Sequence, residues 1–183
     1  MLAEAERRYL LDLARKTIAD RLGVAAAPPP ARPENTAALR THRGAFVTLH
    51  ARGRLRGCIG YIQADRPIED VVVDAAAAAA FSDFRFAPVA NAELAGLSIE
   101  ISVLTRPVRT GAPEEVQVGR HGIIISRGHS RGLLLPQVAT EHSWDRATFL
   151  SQGCLKAGLP PDAWQKGATI EVFEAEVFGE ANA

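Results

Sequence analysis

The segment Leu55–Gly60, with the sequence LRGCIG, constrains the fold of this chain more than any other segment. It has the composition of a β-strand, yet two glycines stand three residues apart where a strand would carry side chains. A glycine inside a strand marks a bulge, or a place where a ligand or another backbone comes close. We therefore predict a strand at Leu55–Ile62 whose main chain is closely approached.

A β-hairpin accounts for this strand and for the residues before it. Ala45–His50 is rich in β-branched and aromatic residues, and Ala51–Arg54 has the composition of a turn. Regular alternation divides the second arm into two faces. One face holds Leu55, Ile59 and Tyr61, and the other holds Arg56, Cys58 and Gly60.

Cys58 is the candidate nucleophile on the second face. A cation beside a thiol favours the thiolate, which is the nucleophilic and metal-binding form, and Arg56 is placed to supply that cation. The alternative is that Cys58 packs as a small apolar residue, because free cysteine is among the most buried residue types. The spacing alone leaves both interpretations open and favours packing.

The other elements predict an α+β fold, with a mainly antiparallel or mixed β-sheet flanked by helices. Helical signals occur at Ala3–Leu22, from Pro67 to about Ala80, and from Asp145 to Ala157. Strand patterns occur at Leu97–Leu104, Val116–Val118, His121–Ser126, Gly132–Leu135 and Ala168–Phe178, the last with a β-bulge near Val172. A proline-rich linker covers about residues 25–34, and the 183 residues suit a single domain.

Charge and composition argue against several classes of protein. The 21 basic residues balance the 21 acidic ones, so the chain lacks the basic surplus of a nucleic-acid binder and has no attraction to an anionic membrane. No stretch reaches the ~20 apolar residues of a membrane span. Two distant cysteines form no disulfide framework, which favours a reduced, cytoplasmic setting. We expect Cys154, on the apolar stripe of the last helix, to lie in the core.

Asp83 and Arg85 form a second candidate group. They are two residues apart and share a side if their segment is extended, so they could be a functional pair, a salt bridge or a cap on the preceding helix. The sequence contains no P-loop, dinucleotide-binding fingerprint or zinc-type cysteine pairing. None of its five histidines pairs with another at ligand spacing, and we predict no metal site.

The chain resembles the AMMECR domain family, whose prokaryotic members are also called AmmeMemoRadiSam system protein A. The LRGCIG segment is the signature of that family. Further motifs cover essentially the whole chain in order: Gly44–Leu49, Phe81–Pro88, Ile99–Leu104, Gly119–Ile123, Gly132–Ala139 and Lys156–Leu159. The resemblance implies a larger and a smaller lobe with a cleft between them. It also implies an association with a Memo-like protein and a radical SAM protein, and it names no reaction.

Our first hypothesis is a cytoplasmic enzyme or enzyme component that binds a small molecule in a cleft lined by the LRGCIG motif. Its catalytic residues would be Cys58 as nucleophile, with Asp83 or His142 as the acid–base partner. The substrate-binding residues would be Arg56, Gly57, Gly60, Arg85 and Gln137. The sequence specifies no cofactor.

Two other functions stay open. The chain could be a non-catalytic adaptor, with the glycine-containing strand as a docking surface and Cys58 as a small residue beneath it. A weaker alternative is RNA binding through Gly57–Gly60, which the neutral charge disfavours.

Overall fold

The computed structural model describes residues 1–24, 28, 30–34, 36–62 and 65–180. The chain forms two compact units. The first comprises Met1–Leu104 and the chain from Glu176 onward, and the second comprises Thr105–Ala175. The predicted linker at 25–34 lies partly outside the described residues, and those of its residues that are described form no helix or strand.

The first unit contains a four-stranded sheet and two long helices. Its elements are α1 (Glu4–Arg21), β1 (Ala45–Ala51), β2 (Arg54–Tyr61), α2 (Ile68–Phe81), β3 (Leu97–Leu104) and β8 (Ala175–Gly179), with 3-10 helices at Ala37–Arg40 and Asn91–Gly96. The strand order is β2-β1-β3-β8, and β1 is antiparallel to both of its neighbours. The strand β2, which carries the LRGCIG segment, is therefore an edge strand.

The second unit contains its own four-stranded sheet, in the order β4-β7-β5-β6. Its elements are β4 (Val108–Arg109), β5 (Gly122–Arg127), β6 (Ser130–Leu134), α3 (Pro136–Glu141), α4 (Arg146–Lys156) and β7 (Thr169–Phe173), with 3-10 helices at Pro113–Glu115 and Ala163–Gln165. All of its described strand pairs are antiparallel. Two sheets with helices confirm the predicted α+β class.

Each unit has a separate apolar core. In the first unit, alternate residues of β1 and β3 pack with the apolar sides of α1 and α2, among them Val47, Ile101, Leu10 and Val71, all fully buried. In the second unit, β5 packs with α4. Cys154 is fully buried there, which confirms its predicted place in the core.

Two predicted elements were wrong. Val116–Val118 forms no strand; its chain runs from a 3-10 helix into a turn. The predicted strand Ala168–Phe178 is two strands, because β7 belongs to the second sheet and β8 to the first. The alternation of apolar residues changes phase there because the chain leaves one sheet for another, and no bulge at Val172 is needed.

Several boundaries were predicted closely. The strand β3 has the predicted bounds, and α4 begins after Asp145, whose side chain accepts a hydrogen bond of 2.8 Å from the main-chain N–H of Thr148. The short elements β4 and α3 were not predicted. A two-residue strand and a six-residue helix are too short to show a periodic pattern.

Gly57 lies where α2 packs directly on β2. A Cβ atom added at Gly57 would overlap the main-chain oxygen of Ala79, in the alanine run of α2. The close approach that the glycines predicted is therefore made here by the protein's own helix. Small residues on both elements are what bring the two backbones together.

We expect Gly57→Ala to destabilise the protein by about 1–3 kcal/mol, because the new methyl group must displace the main chain of α2. Urea unfolding followed by circular dichroism measures this change. Gly96→Ala is the matched control, since an added Cβ at Gly96 has no atom within 4 Å, and its effect should stay within about 0.5 kcal/mol. Equal effects of the two substitutions would contradict this packing argument.

Candidate functional site

A β-bulge at Arg56 changes which side chains share a face of β2. Leu49 pairs with Gly57 and the next residue, His50, pairs with Leu55, so Arg56 has no partner on β1. Paired residues on neighbouring strands point to the same face of a sheet. Cys58, opposite Thr48, therefore shares its face with Leu55 as well as Gly60. The predicted separation of Leu55 from Cys58 was wrong, because regular alternation ignores the extra residue.

Asp83 and Arg85 bind the free edge of β2 at Cys58. The N–H of Cys58 donates to Oδ2 of Asp83 at 2.9 Å, and Nη2 of Arg85 donates to the carbonyl oxygen of Cys58 at 3.2 Å. Arg85 also donates to both carboxylate oxygens of Asp83, at 2.9 Å from Nε and 2.7 Å from Nη2. The two side chains thus satisfy main-chain groups that an edge strand leaves unpaired.

This arrangement keeps Asp83 ionised. The bidentate hydrogen bonds from Arg85 hold the pKa of the Asp83 carboxyl well below its usual range, assisted by the N–H of Cys58 and opposed by burial. The Asp83 side chain is almost fully buried and its oxygens are occupied. A carboxylate in this state is a poor proton acceptor at neutral pH, so the geometry gives no support to the predicted acid–base role of Asp83.

Arg56 is also held by the segment that follows α2. Its Nε and Nη2 donate to the two carboxylate oxygens of Glu93 at 2.7 and 3.0 Å. The ring centroid of Phe86 lies 6.0 Å from the guanidinium carbon of Arg56 and 5.4 Å from that of Arg85. Glu93 and Phe86 were missed as site residues, since nothing in the sequence indicates that residues 86–93 lie against β2.

The thiol of Cys58 is half-buried and protonated at neutral pH. Burial raises the pKa of the Cys58 thiol, and the carboxylates of Asp83 and Glu100 add to this; a hydrogen bond of 3.3 Å from Oγ1 of Thr48 and the charge of Arg85 oppose it. The prediction that Arg56 lowers this pKa was wrong. The cation that acts on the sulfur is Arg85, and its effect is smaller than that of burial.

The space beside Gly60 is also occupied by the protein's own atoms. A Cβ atom added there would overlap the carbonyl oxygen of Ala45 and the ring of Phe46, which pairs with Gly60 across the hairpin. Both glycines of the LRGCIG segment are therefore explained by internal packing. Ligand binding at Gly57 and Gly60 stays a prediction.

A model of the AMMECR1 family matches residues 11–178 of the chain. The chain belongs to the AMMECR1 family. It is 44% identical over 187 residues to a protein of Methanosarcina acetivorans, covering 98% of this chain and 94% of that protein. A protein of Thermofilum pendens is 41% identical, with 98% and 92% coverage. The crystal structure of an uncharacterised Pyrococcus horikoshii protein superposes with a TM-score of 0.87 at 37% identity, covering 98% and 93% of the two chains.

The other predicted site residues of this AMMECR1-family chain lie in the second unit. His142 follows α3 and stacks on Trp144, with ring centroids 4.7 Å apart and an interplanar angle of 17°. Gln137 is in the first turn of α3, and its Oε1 is buried without a hydrogen-bond partner among the described residues. The catalytic role of His142 and the substrate-binding role of Gln137 stay predictions.

Two further features bear on the class of site. Within the described ranges, no three His, Cys, Asp or Glu side chains lie close enough together to hold a metal ion. The helices of those ranges also lack the length and apolar character that crossing a membrane requires.

We expect Asp83→Asn to destabilise the protein by about 2 kcal/mol at pH 7, because it breaks a buried ion pair whose Arg85 partner is partly exposed. Since the pKa of Asp83 is lowered by folding, its contribution is present above the unfolded-state pKa of about 3.9 and is lost as the pH falls further. The difference in the free energy of unfolding between wild type and variant should therefore shrink progressively below about pH 4, as measured by urea unfolding.

Asp74→Asn provides the control, because Asp74 forms an exposed ion pair with Arg66. That substitution should change the free energy of unfolding by no more than about 0.5 kcal/mol, both at pH 7 and below about pH 4. A difference for Asp83→Asn that does not depend on pH would show that the charge of Asp83 is not what stabilises the edge of β2.

Proposed function

We propose that this AMMECR1-family protein is a docking component of a multiprotein assembly, and that Phe84 is an anchor for the partner. The observation that carries the proposal is the contrast between Phe84 and its neighbours. The Phe84 side chain is 94% exposed, whereas Asp83 and Arg85 on either side are fixed to each other and to β2. A large apolar side chain thus stands in solvent on a segment that is held in place.

This combination is typical of an interface anchor. Aromatic residues, phenylalanine among them, and arginine are enriched at protein interfaces, and a surface that is ordered before binding loses less conformational entropy when the complex forms. Arg85 lies next to Phe84, with its guanidinium over the ring of Phe86. The complementary surface is an apolar pocket that accepts the Phe84 ring, with acceptor groups at its rim for Arg85.

The family resemblance suggests which partners to test. Its prokaryotic members recur with a Memo-like protein and a radical SAM protein, so these two are the candidate partners for the surface at Phe84. The assembly would act in the cytoplasm, in keeping with two free cysteines, Cys58 and Cys154.

The second candidate function is that of an enzyme or enzyme component acting on a small molecule at Cys58. The observation in its favour is that the sulfur is only half-buried and has both Thr48 and Arg85 beside it, each of which lowers the pKa of the thiol. In this function Cys58 is the nucleophile, and the ion-paired Asp83 is a poor acceptor for its proton.

We expect Phe84→Ala to weaken binding to the Memo-like or radical SAM protein of the same organism at least tenfold, because truncation removes the aromatic anchor. Isothermal titration calorimetry with purified proteins measures the affinity. The melting temperature should not fall, since Phe84 supports no packing in the free protein. Leu155→Ala is the control, as Leu155 is an exposed apolar residue of α4, and it should leave the affinity unchanged.

Loss of affinity in both variants would point to a nonspecific effect of reduced surface hydrophobicity. An unchanged affinity for Phe84→Ala would reject Phe84 as the anchor. Failure of the wild-type protein to bind either candidate would reject these partners.

Alkylation of Cys58 separates the two candidate functions. Because the pKa of its thiol is raised by burial, we expect iodoacetamide to label Cys58 appreciably only above about pH 8.5. Peptide mass spectrometry across a pH series measures the rate, with the fully buried Cys154 as the internal control that stays unlabelled. Rapid labelling of Cys58 at pH 7 would favour the enzyme instead.

A further inference from the structure

The first unit contains a cavity of about 610 Å³ beside α1. Its described lining comes from three segments, which are α1, the residues that follow α1, and the 3-10 helix Asn91–Gly96. Cavities that bind small molecules measure roughly 300–1,000 Å³, so this one has the size of a ligand site. The apolar members of the lining are Ala19, Val24, Pro28, Pro30, Leu94 and Ala95.

The helix α1 and the 3-10 helix are held together before any ligand binds. The guanidinium group of Arg15, on α1, donates hydrogen bonds to the carbonyl oxygens of Leu94 and Leu97 at 3.1 and 2.7 Å. The same 3-10 helix is tied to β2 through the ion pair of Glu93 with Arg56. Because these contacts fix two sides of the cavity, a ligand loses little binding free energy to ordering the protein.

The apolar lining selects the body of the ligand. Side chains such as Ala19, Val24 and Leu94 offer aliphatic surface and no hydrogen-bonding group. The described lining residues also include no aromatic ring on which a ligand could stack. Moving a hydrocarbon group from water onto such a surface is favourable, so the part of the ligand that fills the cavity is a hydrocarbon.

The charged members of the lining differ in whether they are paired. Arg15 donates to the carboxylate of Glu180, with Nε at 2.7 Å from Oε1. Lys16 binds both carboxylate oxygens of Asp20, at 2.8 and 2.9 Å. Asp12 lies one turn before Lys16 on the same side of α1, and its side chain has no ion pair or hydrogen bond within the described part of the chain.

This difference selects the charge of the ligand. The positive charges of Arg15 and Lys16 are each balanced by a carboxylate, whereas the carboxylate of Asp12 is not balanced by a described partner. The uncompensated charge at the cavity is therefore negative, and it attracts a cation. An ammonium group also supplies the hydrogen-bond donors that a carboxylate accepts.

We propose that the cavity beside α1 binds a small amphipathic amine, a compound with a hydrocarbon body and one ammonium group. The hydrocarbon body lies against the apolar lining, and the ammonium group pairs with Asp12. Because Asp12 is exposed to solvent, water screens this pair, and the charge contributes more to selectivity than to affinity. The site requires no reaction, and it does not depend on docking at Phe84.

Three ligands that share a phenylbutyl group test the proposal on the full chain. They are the cation 4-phenylbutylammonium, the neutral 4-phenylbutanol and the anion 5-phenylpentanoate, and NMR or calorimetric titrations at pH 7.5 measure their affinities. We expect the cation to bind saturably with a Kd of about 1 mM or below. It should bind at least about threefold more tightly than the anion, because Asp12 attracts the one and repels the other.

Substitutions on α1 assign the contacts. Asp12→Asn should weaken binding of the cation about threefold and leave binding of the alcohol unchanged, since it removes the charge and keeps the cavity. Glu4→Gln is the matched control, because Glu4 is an exposed carboxylate of α1 outside the lining, and it should change neither affinity. Ala19→Leu should weaken binding of both ligands several-fold, because the larger side chain takes up part of the cavity. Its urea midpoint should not fall, since Ala19 is only half-buried and leucine favours a helix, so the loss of binding would not come from misfolding.

Failure of all three ligands to bind the wild-type protein at up to about 10 mM would overturn the proposal, since a ligand that fills such a cavity should reach millimolar affinity. Tightest binding of the anion would assign the charge to Lys16 or Arg15 and would overturn the choice of an amine. Cation binding that Asp12→Asn or Ala19→Leu leaves unchanged would place the ligand elsewhere and would overturn it as well. None of these results bears on Phe84, so docking is tested independently.

Discussion

The hydrogen bonds from Asp83 and Arg85 to the main chain of Cys58 are the interaction on which the candidate site depends. The strand β2 is at the edge of its sheet, and an uncovered edge presents unpaired N–H and C=O groups to water and to other chains. The residues after α2 cover this edge with an ion pair instead of a further strand. The same ion pair fixes the segment that carries Phe84 and Phe86.

Most residues of the LRGCIG segment thus make structural contacts, through close packing or ion pairing. Gly57 admits the main chain of α2, Gly60 admits the ring of Phe46, and Arg56 is paired with Glu93. What remains for function is what these contacts leave free. On the loop after α2 it is Phe84, whose side chain is 94% exposed.

Local patterns predicted much of the fold, and their failures have physical causes. β3 alternates regularly between apolar and polar residues, and α4 has a capping aspartate, so both were predicted with nearly correct bounds. The predicted faces of β2 were wrong at Leu55 because Arg56 is inserted as a bulge, which alternation cannot reveal. The hypothesis that Arg56 lowers the pKa of Cys58 was wrong because burial raises this pKa and the nearby cation is Arg85, and the sequence reports neither relation.

The sequence by itself determined the fold class, a strand closely approached at its two glycines, and the placement of Asp83 near Arg85, because periodicity, glycine placement and short spacing act locally along the chain. Only the tertiary structure decided what approaches each glycine, which cation lies near the sulfur, and that Thr48 and Glu100 share a face with Cys58. Those relations join residues 10 to 42 positions apart, and strand register and helix packing set them.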